Sequence, residues 1–93
     1  MTHDDAGSAV SRLHEQLRAT ADRPIEATAR RRIGEAEAVA GDLVGADVDP
    51  EVLEERLGHV VDLLAAVDET GDPEADEHVA AARRIAAELL SES

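Results

Sequence analysis

Apolar residues recur along this chain at steps of three and four, the spacing that places side chains on one face of a helix. Four such stripes follow one another. The first runs Ala6, Val10, Leu13, Leu17 and Ala21. The second runs Ile25, Ala29, Ile33, Ala36, Ala40 and Leu43. The third holds Leu53, Leu57, Val60, Leu64 and Val67, flanked by Val61 and Leu63. The fourth holds Ala75, Val79, Ala82, Ala86 and Leu89, flanked by Ile85. No segment alternates apolar and polar residues as a half-buried strand does. The third stripe is the widest, and its helix is expected to be the most buried.

Punctuation between the stripes agrees. Asp49-Pro50-Glu51 and Asp72-Pro73-Glu74 carry the same start signal: Asp at the N-cap, Pro at the first helical position and Glu in the first turn. Gly45 and Gly71 precede them as C-terminal caps. Asp22-Arg23-Pro24 is a weaker version. The spacing predicts helices over about 6–21, 24–44, 50–69 and 73–90 in one domain spanning 1–93. Short connections make neighbours antiparallel, so the expected fold is an all-α, up-down-up-down four-helix bundle. The alternative joins the first two segments into one helix kinked at Pro24, with dimerisation completing a three-helix core.

Composition narrows the chemistry. The 93 residues include 22 Asp+Glu against 9 Lys+Arg, a formal charge of −13. Every basic residue is Arg, and Phe, Tyr, Trp and Cys are absent. Without cysteine there are no disulfides, thiolate metal sites or cysteine nucleophiles. Without aromatics there is no platform for stacking bases. The acidic surface repels nucleic-acid backbone and anionic lipid. No apolar run approaches the roughly 20 residues of a membrane span, and the acidic start Met1-Thr2-His3-Asp4-Asp5 is unlike a secretory leader. A cytoplasmic location is expected. Acidic excess, absent lysine and abundant alanine point to a salt-adapted source, because concentrated salt screens the repulsion between carboxylates. Stability is therefore expected to fall on dilution from molar to about 0.1 M salt, as the screening length grows from roughly 3 to 10 Å. A melting temperature that stays flat would contradict this.

Gly58-His59-Val60-Val61-Asp62-Leu63-Leu64, with Asp68-Glu69-Thr70-Gly71-Asp72-Pro73-Glu74-Ala75 and the helix start that follows, resembles small uncharacterised helical proteins of haloarchaea. The resemblance implies a helical fold and a halophilic source, and brings no activity with it.

No catalytic constellation stands out. Serines fall at the termini and in the first helix, and there is no phosphate-cradling glycine loop and no lysine. The chain is expected not to be an enzyme and to need no cofactor. Glu-x-x-His, the di-iron bundle signature, is missing. Neither acidic loop has the glycine and glutamate of a calcium-binding EF-hand. His14 and His78 lie at stripe margins, on helices one and four, level with each other near one end of the expected bundle. They are the candidate metal-binding or pH-sensitive pair. His59 falls among carboxylates on a solvated face. Arg30 and Arg31 are expected to pair with Glu26 and Glu35, and Arg84 with Glu88, at helical spacing. A nucleic-acid contact would require Arg12, Arg32 and Arg83 to gather.

The least expected feature is a second stripe on helix two, opposite its apolar one. Ala27, Gly34, Ala38, Gly41 and Gly45 share this outer face. Glycine inside a helix costs about 1 kcal/mol relative to alanine. Two such positions on one face suggest close backbone approach by another helix, either a second copy of the chain or a protein partner. The expected function is therefore a small interaction or accessory protein working by helix–helix association. The alternatives are a nucleic-acid-associated regulator or charge mimic, and a metal- or pH-responsive bundle.

Overall fold

Four amphipathic segments with no strand partner can bury their stripes only against one another. A computed structural model describes residues 3–92, with side chains described over 7–91. It shows four helices, α1 (His3–Arg18), α2 (Ala27–Leu43), α3 (Pro50–Ala65) and α4 (Pro73–Glu92), and no strand among the described residues. The body measures 37 × 22 × 20 Å. Helix α1 packs on α2 and α4, and α3 packs on the same two, while the diagonal pairs do not approach. This is the square up-down-up-down bundle, with α1 and α2 as separate helices.

The core divides by residue size. Leu13 and Leu17 from α1, with Leu57, Val60 and Leu64 from α3, fill its centre with essentially no exposure. Helices α2 and α4 supply Ala36, Ala40, Ala82 and Ala86, also fully buried. Large side chains on one diagonal thus meet alanines on the other, where Ile33, Leu43, Val79 and Leu89 are the larger buried residues, and the mixture of sizes lets the layers interdigitate. Because each helix has two neighbours, flanking residues reach only the rim. Leu53, Val61 and Leu63 of the widest stripe are therefore half-buried, and α3 is not buried all round.

Helix ends are set by turns. Gly45 adopts positive φ, at 72°, just past the end of α2, whereas Gly71, at 91°, does not cap α3, which stops six residues earlier at Ala65, and instead turns the chain into the start of α4. The Thr20 hydroxyl donates to the Leu17 carbonyl at 2.8 Å and closes α1 three residues earlier than the stripe suggested. Ala21 is consequently exposed. Asp72 caps α4, its carboxylate accepting from the Ala75 N–H at 2.9 Å. Asp49, in the same Asp-Pro-Glu setting, makes no such bond.

Candidate functional site

The connections 19–26 and 66–72 meet at one end of the bundle and are tied together there. Arg23 donates from Nε and Nη2 to the two oxygens of Asp72, at 2.9 and 3.0 Å. Its Nη1 lies 3.4 Å from Glu74. The paired Arg23 and then the Ala75 N–H hold the Asp72 carboxyl below the usual carboxylate range. The bond to Asp72 likewise raises the Arg23 pKa. Thr70 is fully buried beside this pair. Its hydroxyl lies 2.8 Å from Asp76 Oδ1 and accepts from the Asp72 N–H at 3.1 Å. Its carbonyl accepts from the Glu26 N–H at 2.7 Å. Arg32 donates to the Ala66 carbonyl at 3.1 Å, joining the start of α2 to the end of α3.

This clamp was not singled out in the sequence, although a signal existed. An up-down-up-down order puts Arg23 and Asp72 at the same end, with opposite charges in adjacent connections. Arg30 also departs from expectation. It donates to the Ala21 and Arg23 carbonyls at 3.2 and 2.7 Å instead of pairing with Glu26. The main chain of a connection without helical bonds competes well for a guanidinium. Beside the clamp lies an open groove of about 840 Å³, with Ile25, Thr28, Arg32, Val67 and Glu69 in its lining. The lining contains no histidine, cysteine or serine, and Arg32 is already committed to Ala66.

The two candidate histidines face different neighbours. His14 turns toward α2, with Nε2 4.0 Å from a Glu37 carboxylate oxygen. Nδ1 of His78 lies 2.9 Å from Oε1 of Gln16. Positions 14 and 16 project about 200° apart on a helix, so these contacts fall on opposite flanks of α1. The helices are level, as expected, but the structure does not bring the pair into one site. Among the described residues no cluster of three or more His, Cys, Asp or Glu side chains is poised around a metal position. His59 is exposed. Arg12 and Arg83 are exposed on α1 and α4. Helix α4 stands diagonally from α2, which carries Arg32, so the three guanidinium groups do not share a face.

The small-residue stripe on α2 splits in two. Gly41 is half-buried, and a Cβ there would sit 3.0 Å from His14 Nε2, so this glycine makes room for a ring within the chain. Gly34 is different. It is exposed, and a Cβ there would meet no heavy atom within 4 Å. Ala27 and Ala38 are exposed with it, whereas Gly45, at positive φ, lies past the end of α2 and leaves the stripe because the helix has already stopped at Leu43. At the C-terminal end of α2 the connection to α3 leaves Val44 and Val48 exposed.

A family model matches residues 9–93, from within α1 through the whole of α2, α3 and α4. The chain belongs to the DUF8152 family, a domain of unknown function. The clamp, the histidine contacts and the α2 face all fall within the DUF8152 match. No curated protein and no solved structure matches the chain. Among the described residues no helix is long and apolar enough to cross a membrane.

Proposed function

We propose that this DUF8152 chain is a non-enzymatic accessory protein that works by helix–helix association through the outer face of α2. One observation carries the reading. Gly34 lies mid-helix, on a face that nothing among the described residues covers, where alanine would favour the helix by about 1 kcal/mol. Gly41 has a reason among the described residues and Gly34 has none. A helix that keeps glycine at such a position gains close approach to another backbone. The acidic, lysine-free composition further supports a salt-adapted, haloarchaeal source and a cytoplasmic setting, where dense salt lets two acidic bodies touch.

Gly34→Ala tests this. On a face with no partner it stabilises the chain by up to about 1 kcal/mol, a melting-temperature rise of several degrees. At a seam the added methyl overpacks the contact, at a cost of about 1–3 kcal/mol. The expected result is a melting temperature that fails to rise at concentrations where the protein is associated. The full propensity gain at every concentration, with unchanged mass, would remove the α2 face as an interaction surface.

A further inference from the structure

We infer that the outer face of α2 takes a second copy of this chain, with the two α2 helices antiparallel about a two-fold axis near residue 36. This rests on the reading of that face as the association surface, and adds the partner and the register.

The charge pattern along the face carries the inference. A two-fold contact is self-complementary: a residue before the axis meets one equally far after it on the other copy. Arg31 lies five positions before residue 36 and Asp42 six after. At 100° per residue their directions differ by about 20°, so both occupy one flank of the face. The two-fold therefore brings Arg31 of each copy beside Asp42 of the other, and does so twice. Both side chains are exposed, and among the described residues neither takes part in an ion pair within the chain. Arg30 is already held by carbonyls of its own chain. A parallel pairing would set Arg31 against Arg31 and Asp42 against Asp42, the arrangement interfaces avoid.

Sterics agree with this register. Gly34 and Ala38 are equidistant from residue 36. Small residues thus meet small residues along the seam, within a stripe about 40° wide. Glu37 points about 100° away from Ala38 and clear of the contact, whereas Glu35, about 60° away, shares the flank of Arg31 and Asp42 and meets its own copy near the axis, the like-charge contact that salt must screen. Glu37 instead faces His14. A net charge of −13 per copy opposes the pair in dilute salt, whereas in molar salt the screening length of roughly 3 Å leaves mainly contact-distance pairs.

Sedimentation equilibrium in molar salt tests it, using wild type, Arg31→Glu, Asp42→Arg and the double reversal. Each single change sets like charges together twice per dimer and should weaken self-association about tenfold. The double variant recreates both pairs with exchanged signs and should return to the wild-type constant. Arg84→Glu, which alters net charge on the outer side of α4, should leave it unchanged. Circular dichroism checks that all four fold, which their exposed positions favour. A chain that stays monomeric to millimolar concentration overturns the second copy, and the α2 face then stands or falls by whether Gly34→Leu releases a protein that the wild-type chain retains from native lysate. A dimer indifferent to both reversals but broken by Gly34→Leu overturns the antiparallel register alone. A dimer indifferent to all three variants overturns the face as well.

Discussion

Leu64→Ala is expected to remove about 2–5 kcal/mol of stability, the range for truncating a buried leucine. Leu64 has no exposure and sits among the fully buried core with Leu13, Leu17, Leu57 and Val60. Many of the buried residues that α2 and α4 turn to the core are alanines, among them Ala29, Ala36, Ala75 and Ala82, whose side chains have no reach, and the larger Ile33 and Val79 are already packed. Much of the cavity should therefore persist. A domain of this size has a total stability of about 5–15 kcal/mol, so the loss is a large share. Urea denaturation should show the midpoint falling sharply at constant slope. A loss under about 1 kcal/mol would mean that the size division between the two diagonals does not hold the core.

Asp72→Ala is expected to be the most damaging change to any single charged residue. It removes the acceptor of both Arg23 bonds and the cap of α4 together. Cap loss alone should lower the melting temperature by roughly 5–10 °C at pH 7. Asp72→Asn keeps a cap oxygen and loses the charge, so it should fall between the two. The pH dependence separates these contributions. Arg23 and the Ala75 N–H depress the folded-state pKa below the ordinary aspartate value of about 3.9. The stabilisation is therefore complete above about pH 4 and disappears as pH falls through the depressed folded value. The gap between wild type and Asp72→Asn should be widest near neutrality and close in acid. A gap unchanged from pH 7 to pH 2 would show that the ion pair contributes nothing.

The core was legible because burial follows period. Seventeen predicted stripe positions, from Val10 to Leu89, are buried in the structure. Helix ends were less legible, because the stripe continues past them. Val67 is buried although α3 stops at Ala65, and it tucks under the bundle from the connection. Buried Thr70, which no periodicity marks, follows in the same connection. The two Asp-Pro-Glu signals read identically, yet only the one facing Arg23 forms a side-chain cap. That difference is tertiary and has no local trace. Gly34 and Gly41 also read identically, and the ring of His14 distinguishes them. A stripe shows which residues share a face, whereas what lies opposite depends on the neighbouring helix.

The claim that α2 presents the working surface is tested most directly by the mass of wild type beside Gly34→Leu. Both should be followed by sedimentation across a hundredfold range of concentration in molar salt. Gly34 is exposed and a Cβ there meets no described heavy atom within 4 Å, so a leucine side chain can extend into solvent and the monomer should fold. The account predicts a concentration-dependent dimer for wild type, and a monomer throughout for Gly34→Leu. Identical masses for the two proteins at every concentration would contradict it.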